Sequence, residues 1–352
     1  MQTDSIELSF LSIFAFITFF IFLIVSKYSH KINNGVLLDK DFLKPQAFHE
    51  EAVSRSGGIA ALVSLFIFLG IYNLLFSKIL YQYILICTSL FVIGYLDDIK
   101  IKISPNTRLT LMVVFLIILI IFLPIKIYGI DLIFLSSWLD NEIFSTIFVL
   151  LCFLFIVNGA NLIDGFNGLL TINLIIINCI LLFINLNSDN FEFSFFLTAQ
   201  IIIFTSFLLF NFPRAKMFLG DSGSYLFGSM IALNTIITNN LNTNISAFFF
   251  CILLFYIFFE VFFSFFRKLL QKKSPFLPDQ NHLHMLVYKY LKKNYPSKNN
   301  NYLTSLSLNT GYLILTLPGI YFMDNPLFSR YWFFILLVFY TLLYLRFYKL
   351  TK

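Results

Sequence analysis

Four polar clusters interrupt the apolar pattern of this chain, and their side chains are mostly carboxylates, amides and imidazoles. The clusters lie at residues 94–98, 158–168, 219–224 and 278–284. The first three clusters supply four aspartates, namely Asp97, Asp98, Asp164 and Asp221. Carboxylate oxygens suit hard cations, and Mg²⁺ typically binds one or two carboxylates together with substrate phosphates. These aspartates are therefore candidates for metal binding and for acid–base work.

Lysines and arginines flank the same clusters. They are Lys44, Arg55, Lys100, Lys102, Arg108, Lys216, Arg267 and Lys268. Cationic side chains beside metal-binding carboxylates suit a diphosphate substrate. The sequence contains no GxxxxGK[ST] loop, which disfavours an ATP-driven pump. The chemistry that fits best is phosphoryl or phospho-sugar transfer to an acceptor dissolved in the bilayer.

The amide-rich second cluster has a regular spacing. Its polar residues follow one another at intervals of three, as Asn158, Asn161, Asp164 and Asn167. Helix capping explains one Asn and one Asp, but a spacing of three keeps side chains near one face of a helix. We therefore predict a functional face here. In the third cluster, Asp221 can either cap a helix or hold a metal, and its glycine neighbours permit a close approach to a ligand.

The last cluster contains His282 and His284, two of the four histidines in the chain. These side chains fit a solvated loop, a pair of phosphate donors or an acid–base pair near neutral pH. Two nitrogens without a third ligand nearby in sequence are a weak zinc signal. Glu260 and Arg267 are seven residues apart, so they should lie near one helix face. Two interpretations stay open, a structural ion pair between them or a substrate contact by Arg267.

Composition indicates that a membrane protein must position these clusters. Of 352 residues, 59% are apolar and 12% are charged, and the mean hydropathy is +0.85. Soluble proteins carry about 45–50% apolar and about 25% charged residues, so a soluble nucleic-acid binder is excluded. Since a helix needs about 20 apolar residues to cross a bilayer, we predict an all-α, polytopic fold in one domain, 1–352. The eleven predicted spans are 6–26, 57–76, 79–96, 108–125, 143–160, 168–186, 194–212, 222–239, 245–266, 303–323 and 331–348.

The distribution of basic residues predicts the orientation of these spans. With the N-terminus outside, 21 of the 24 lysines and arginines face the cytoplasm, in agreement with the positive-inside rule. The C-terminus is then cytoplasmic, and topology explains the net charge of +6 without a nucleic-acid partner. The four clusters follow spans 3, 5, 7 and 9, which all end on the cytoplasmic side. The expected active-site loops are roughly 27–56, 97–107, 158–168, 213–224 and 267–302.

With these motifs in this order, the chain resembles the polyprenyl-phosphate N-acetylhexosamine-1-phosphate transferases, the WecA- and MraY-like membrane family. The matching stretches are 44–58, Asp97-Asp98 with Ser104-Pro105 and Arg108, 158–169, 220–224 and 279–284. The resemblance implies a Mg²⁺-dependent enzyme, with Mn²⁺ as a substitute, in the cytoplasmic (inner) membrane. Its partners would be a UDP-sugar, undecaprenyl phosphate and membrane lipid, and UMP would be released. Whether it forms a homodimer stays open.

The resemblance also implies residue roles. Asp221 matches the metal-binding aspartate, and Asp97 and Asp98 match an aspartate pair with metal, acceptor or base roles. A catalytic set of Asp97, Asp98, Asp164, His282 and His284 follows. A substrate-binding set follows as well, with Lys44, Arg55, Asn158, Asn161, Asn167, Arg108 and Arg267.

Two departures from the family pattern favour one branch of it. Asn167 stands where many relatives carry a second aspartate, which makes a metal role there doubtful. The histidine loop reads His282-Leu283-His284-Met285 rather than three successive histidines. This favours the WecA-like branch, which starts O-antigen, capsule or similar glycans from UDP-GlcNAc or a UDP-N-acetyl deoxyhexose. The alternatives are a phospho-MurNAc-pentapeptide transferase and a membrane transporter.

Overall fold

The computed structural model describes residues 2–29, 31, 35–39, 52–101, 103–275, 279–297 and 299–352. Helices dominate these residues, and one small hairpin interrupts them. The helices are α1 (Gln2–Tyr28), α2 (Gly57–Phe76), α3 (Thr88–Asp98), α4 (Pro105–Phe122), α5 (Ile133–Leu139), α6 (Glu142–Ile163), α7 (Leu169–Asn187), α8 (Phe191–Asn211), α9 (Gly220–Leu241), α10 (Ala247–Leu253), α11 (Phe255–Leu270), α12 (Leu283–Asn294), α13 (Asn300–Tyr321) and α14 (Pro326–Thr351). The hairpin strands are β1 (Leu38–Asp39) and β2 (Val53–Ser54), and a π-helical turn, Tyr83–Cys87, leads into α3.

Seven of these helices are long and apolar enough to cross a membrane, namely α1, α2, α4, α6, α7, α8 and α14. The α10–α11 pair makes an eighth span if its two parts are counted together. The predicted all-α class with several membrane-capable helices is confirmed, whereas the eleven spans and their orientation stay predictions. Helix α9 is not among these seven helices, although it is 22 residues long. Almost every residue from Ser222 to Asn239 is buried against protein. A helix surrounded by other helices can carry polar side chains that lipid would exclude.

A neutral polar network holds α9 in the centre of the bundle. Asn234 Nδ2 donates to Asn178 Oδ1 at 2.8 Å and to Gln200 Oε1 at 2.7 Å. Its Oδ1 accepts from the Tyr83 hydroxyl at 2.6 Å and from Gln200 Nε2 at 3.0 Å. We call these four residues the amide network. Because these bonds join α9 to three other elements, the network sets how α7, α8, α9 and the π-helical turn meet.

The hairpin fastens the start of α2 to the start of α9. Strands β1 and β2 are antiparallel, and Ser54 also bridges to Met217. The Gly58 amide donates to the Leu219 carbonyl at 2.9 Å. A Cβ on Gly58 would lie 2.5 Å from the Gly223 nitrogen, so only glycine fits there. The backbones of the two helix starts therefore nearly touch.

A sharp bend divides the predicted span 245–266 into α10 and α11. The two helices meet at Leu254 at an angle of 76°. The predicted segment 245–266 is therefore bent, and its crossing of the membrane as one span stays a prediction. The bend sends α11 beside α6 and α14, and α12 then packs against α13 and α14. This path brings the histidine cluster to the end of the bundle where α6 ends and α9 begins.

Candidate active site

The α3 aspartate Asp98 caps the N-terminus of α9. Its Oδ1 accepts from the Asp221 amide at 3.0 Å, and its Oδ2 accepts from the Ser222 amide at 2.9 Å and the Ser222 hydroxyl at 2.6 Å. The Asp98 carboxylate is fully buried, and the Arg55 guanidinium lies 3.8 Å from its Oδ1. A carboxylate is well placed at the positive end of a helix dipole. Asp98 therefore locks α3 onto α9, across 123 residues of sequence.

Glycines make this close approach sterically feasible. Gly220 has a φ of 78°, and a Cβ there would lie 2.6 Å from Asp98 Oδ2. A Cβ on Gly94 would lie 2.5 Å from the Asp221 carbonyl oxygen. The glycines that flank the aspartates in the sequence are thus required by helix contact, because any side chain would push α3 and α9 apart.

Arg108 lies between the carboxylates of Asp97 on α3 and Asp221 on α9. Its Nη1 lies 2.5 Å from Asp221 Oδ2 and 3.6 Å from Asp97 Oδ2. The guanidinium also lies over the Tyr225 ring, 5.8 Å from its centroid. The three charged side chains are 20–34% exposed, so solutes can reach them. The Asp97 and Asp221 carboxylates are therefore open to solvent.

The donor set fits a divalent cation shared with a substrate. Asp97 and Asp221 direct one oxygen each at the same guanidinium nitrogen, so both can face one positive charge. Among the described residues, no group of three or more His, Cys, Asp and Glu side chains converges as a metal site. Mg²⁺ often binds one or two carboxylates and completes its shell with waters and phosphate oxygens. Asp97 and Asp221 fit that pattern, whereas the hydrogen bonds of Asp98 to α9 favour a structural role for it; the metal assignments stay predictions.

Arg55 lies at the edge of this cluster, held by a residue that the sequence analysis missed. Its Nε and Nη2 donate to Asp39 Oδ2 of β1 at 3.0 and 2.6 Å. Burial lowers the pKa of Arg55, but the surrounding carboxylates, led by Asp39, outweigh it, and the net direction is upward. The guanidinium therefore stays charged. The other predicted basic residue of this segment, Lys44, lies outside the described residues.

The end of α6 brings part of the amide-rich cluster to the same place. Asn161 Nδ2 donates to the Ser224 hydroxyl at 3.0 Å, and that hydroxyl donates to the Asp221 carbonyl. Asn158 instead donates to the Leu154 carbonyl of its own helix at 2.7 Å. Asn158 and Asn161 therefore lie on α6, whereas Asp164 follows its last residue and Asn167 lies in the loop beyond, so the four residues do not share one helix.

Asp164 ends α6 close to the carboxylates of α3 and α9. Burial, and then the charges of Asp221 and Asp98, raise the pKa of Asp164 well above its ordinary value, against the opposing charge of Arg55. This carboxyl can hold a proton closer to neutral pH than an exposed aspartate. That property suits a group that donates or accepts a proton. The catalytic role that the resemblance implies for Asp164 stays a prediction.

Asn167 makes structural contacts in the loop between α6 and α7. Its Nδ2 donates to the Pro213 carbonyl at 3.0 Å, and its amide donates to Asn301 Oδ1 at 2.8 Å. The next amide, of Gly168, donates to Asn211 Oδ1 at 2.7 Å. Asn211 and Asn301 were not predicted, because nothing in their local sequence distinguishes them from other helix asparagines. The predicted substrate role of Asn167 stays a prediction.

The histidine cluster contains two imidazoles in different surroundings. His282 Nδ1 lies 3.0 Å from Glu260 Oε1, and His282 Nε2 lies 3.3 Å from Asp279 Oδ1. His284 stacks on His282 with ring centroids 5.5 Å apart. His284 is fully buried, and neither of its ring nitrogens has a hydrogen-bond partner among the described residues. Burial is the main reason why its pKa falls to about 3, so this ring is neutral.

Arg267 pairs with Asp279 rather than with Glu260. Its Nη1 donates to Asp279 Oδ2 at 2.8 Å and its Nη2 to Asp279 Oδ1 at 3.3 Å. The ion pair between Glu260 and Arg267 considered from the sequence is therefore wrong. Burial alone would raise the pKa of Asp279, but the bond from Arg267 and the charge of His282 hold it below its ordinary value.

The loop after α6 connects the histidine and carboxylate clusters. Phe166 packs edge-on against His284 with centroids 5.7 Å apart, and a Cβ on Gly165 would lie 4.0 Å from His284 Nε2. Asp164 directly precedes Gly165 in the sequence. The structure thus brings the described parts of all four polar clusters to one end of the bundle, with the aspartates on one side and the histidines on the other. The roles predicted for these residues stay predictions.

Comparison with known proteins adds independent findings. Residues 80–239, which include all four aspartates, match the family model described as glycosyl transferase family 4. The chain is 26% identical to undecaprenyl-phosphate alpha-N-acetylglucosaminyl 1-phosphate transferase of Thermotoga maritima over 79% of this chain and 81% of that protein. It is 30% identical to phospho-N-acetylmuramoyl-pentapeptide-transferase of Dictyoglomus thermophilum over 62% and 71% of the two chains. With the Clostridium perfringens protein of the same name, identity is 31% over 41% of this chain and about half of that protein, 48%.

Proposed function

This chain belongs to glycosyl transferase family 4, and from that premise we propose that it transfers an N-acetylhexosamine-1-phosphate from a UDP-sugar to undecaprenyl phosphate. UMP is the second product. Two of the relatives are named as sugar-phosphate transferases that differ in the sugar they transfer. Membership of this family argues against the transporter alternative.

One observation carries the proposal. Asp97 and Asp221 approach a single nitrogen of Arg108, and Arg55 and Asp164 lie beside them at the same end of the bundle. A diphosphate needs cations to neutralise it and fixed groups to orient it. A membrane-embedded cluster of charges that includes two arginines suits that substrate, and the acceptor can reach it from the lipid.

The reaction that we propose is a direct displacement. The acceptor phosphate has a second pKa of about 6, so it is mostly dianionic near pH 7 and does not depend on a strong base. Its oxygen forms a bond to the sugar-bearing phosphorus of the donor. The bond from that phosphorus to the bridging oxygen breaks, and UMP leaves with the electron pair. One diphosphate replaces another, so ATP is not needed.

The charged side chains then have separate roles in this proposal. Arg55 and Arg108 would hold the diphosphate oxygens, and Asp97 is the candidate if a base takes part. Mg²⁺, or Mn²⁺ in its place, held by Asp97 and Asp221, would neutralise charge on the donor diphosphate. Asp98 acts by holding the start of α9, because both its oxygens accept hydrogen bonds there.

The donor that we propose is UDP-GlcNAc or a UDP-N-acetyl deoxyhexose, in the first membrane step of O-antigen, capsule or similar glycan synthesis. The long alignment with the Thermotoga maritima protein and the histidine loop without three successive histidines support this choice. A phospho-MurNAc-pentapeptide transferase is the second candidate. The 30% identity to the Dictyoglomus thermophilum protein supports it.

The proposed placement is the cytoplasmic membrane, with eleven spans, the N-terminus outside and the C-terminus and active site facing the cytoplasm. The cytoplasmic position of 21 of 24 basic residues in that orientation supports it. So does the gathering of all four polar clusters at one end of the bundle.

A release assay tests this function. Purified protein in detergent is incubated with undecaprenyl phosphate, Mg²⁺ and a panel of UDP-sugars that includes UDP-GlcNAc, UDP-N-acetyl deoxyhexoses and UDP-MurNAc-pentapeptide, and UMP is measured. Asp221→Ala is the test variant. Asp140→Ala is the matched control, since Asp140 is an exposed acid at the end of α5, remote in sequence from the clusters.

We expect UMP release with one donor, lost in Asp221→Ala and without Mg²⁺, and retained in Asp140→Ala. Release only with UDP-MurNAc-pentapeptide would select the second candidate. No release with any donor from folded protein, or release unaffected by Asp221→Ala, would contradict the proposal.

A further inference from the structure

A buried acidic residue outside the aspartate cluster needs an explanation. Glu260 lies on α11, six residues after the break at Leu254, and it is 1% exposed. A carboxylate inside a membrane segment is costly, and such residues usually have partners and a function. The match to the family model ends at residue 239, so Glu260 lies beyond it.

Among the described residues, the hydrogen-bond partners of Glu260 lie at the start of α12 and on α14. Its Oε1 lies 3.0 Å from His282 Nδ1 and accepts from the Leu283 amide at 3.2 Å. Its Oε2 accepts from the hydroxyl of Tyr340 on α14. Glu260 thus holds both the first histidine and the first backbone amide of α12, and Tyr340 holds Glu260.

The far side of His282 is also fixed. His282 Nε2 lies 3.3 Å from Asp279 Oδ1, and Asp279 in turn accepts two bonds from Arg267. The imidazole therefore lies between two carboxylates, one of which is anchored in the bundle core. By contrast, His284 has no hydrogen-bond partner among the described residues and contacts Phe166 beside Asp164. One histidine is held by hydrogen bonds, and its stacked neighbour packs against the loop that follows Asp164.

We propose that Glu260 and Tyr340 are positioning residues for the transfer reaction, which orient His282 and the start of α12 so that the histidine cluster faces the aspartates. This inference rests on the proposed function, because it states how that site is assembled. Helix α14 would then contribute to the reaction through the Tyr340 hydroxyl, which holds Glu260. Displacing a reacting or orienting group by about 1 Å costs about 10²-fold in rate, so loss of this support should reduce turnover.

The chain contains a matched control for this pair. Tyr72 on α2 donates its hydroxyl to Glu192 on α8, in the same type of bond. Tyr72 is 3% exposed, as is Tyr340. Glu192 also binds Lys78, at 2.6 Å, and not a histidine. Tyr72→Phe and Glu192→Gln therefore remove a partly buried tyrosine–glutamate bond, in which the Glu192 side chain is 35% exposed, without affecting the histidine cluster.

The test compares kinetics, stability and amide exchange in the full-length protein in detergent. The variants are Glu260→Leu, Glu260→Gln, Tyr340→Phe, His282→Asn and the double variant Glu260→Leu/His282→Asn. We expect kcat per folded molecule to fall about 10²-fold in Glu260→Leu. It should fall about 10-fold in Glu260→Gln, which keeps one oxygen, and about 5-fold in Tyr340→Phe.

Two readouts separate positioning from a general structural role. The KM for undecaprenyl phosphate should change by less than about 2-fold, since the lost contacts act on the histidine side. In the double variant, kcat should lie within about 2-fold of His282→Asn alone, because residues acting through one partner are not additive. The two control variants should keep wild-type kcat even if they lower the melting temperature.

Hydrogen exchange tests the same point without turnover. The Leu283 amide should exchange about 10-fold faster in Glu260→Leu and at the wild-type rate in Glu192→Gln. Unchanged exchange, additive kinetic losses, or equal losses in the control pair would each overturn the proposal. If wild-type protein releases no UMP with any donor, the proposed function fails, while the exchange experiment still decides whether Glu260 holds the loop.

Discussion

Two polar regions share helix α9 but are built differently. The amide network of Tyr83, Asn178, Gln200 and Asn234 is neutral and buried, and both amide atoms of Asn234 are bonded. The carboxylate cluster of Asp97, Asp98, Asp164 and Asp221 carries four acids against the guanidiniums of Arg55 and Arg108. Its Arg108, Asp97 and Asp221 side chains are partly exposed.

The difference separates architecture from chemistry. A neutral network whose groups satisfy one another stabilises one arrangement of helices and leaves nothing for a ligand. A cluster of like charges is less stable by itself and becomes favourable when a cation or a cationic group joins it. Substitutions in the two regions should therefore affect different quantities, folding stability in the first and turnover in the second.

The largest effect should come from Asp221→Asn. It keeps the shape of the side chain but removes one charge of the cation site, so we expect a loss of about 10³-fold in kcat. The melting temperature should change little, because relief of repulsion with Asp97 offsets the weakened ion pair with Arg108. UMP release and thermal unfolding in detergent measure the two effects. A large fall in melting temperature with a modest loss of kcat would contradict the view that the carboxylate cluster serves turnover rather than stability.

Asn234→Leu should have the opposite result. It removes the hydrogen bonds that Asn234 makes with the buried polar groups of Tyr83, Asn178 and Gln200, so we expect about 3 kcal/mol lower stability. Turnover per folded molecule should stay within about 3-fold of wild type. Unfolding in detergent together with active-fraction measurement checks this. Thr198→Val, which removes one helix hydrogen bond, is a milder control.

Asp98→Asn should combine both effects, because Asp98 belongs to the charged cluster but acts as a helix cap. Asparagine keeps one acceptor for α9 and loses the second, so we expect about 1 kcal/mol lower stability. We expect kcat to fall about 10-fold through displacement of Asp221. A loss as large as that of Asp221→Asn, without destabilisation, would instead assign Asp98 to direct metal binding.

The smallest effect should be the pH dependence of the Asp279–Arg267 pair. The pKa of Asp279 is lowered on folding, so its contribution is present above the ordinary aspartate pKa and disappears as pH falls through the lowered value. Asp279→Asn should therefore melt about 2–4 °C below wild type at pH 7. The gap should close as the pH is lowered below about 4. A constant gap across this range would show that the carboxylate charge contributes nothing.

Several features were predictable because they depend on local sequence. Hydropathy predicted helices at each proposed span, and the motifs predicted the family to which the chain belongs. The aspartates were recognisable as candidates because carboxylates rarely lie at membrane edges without a reason. The break at Leu254 shows the limit of this method, since hydropathy does not predict where a helix bends.

The sequence by itself determined a helical membrane protein of this family, with its acids, amides and histidines in segments that reach one end of the bundle. Only the tertiary structure decided how these residues divide their roles. In the structure, Asp98 caps α9 and Arg267 pairs with Asp279. Glu260 is hydrogen-bonded to His282 and Tyr340. The physical reason is distance along the chain. Hydropathy and capping act over a few residues, whereas these contacts join helices 12 to 124 residues apart and follow from packing.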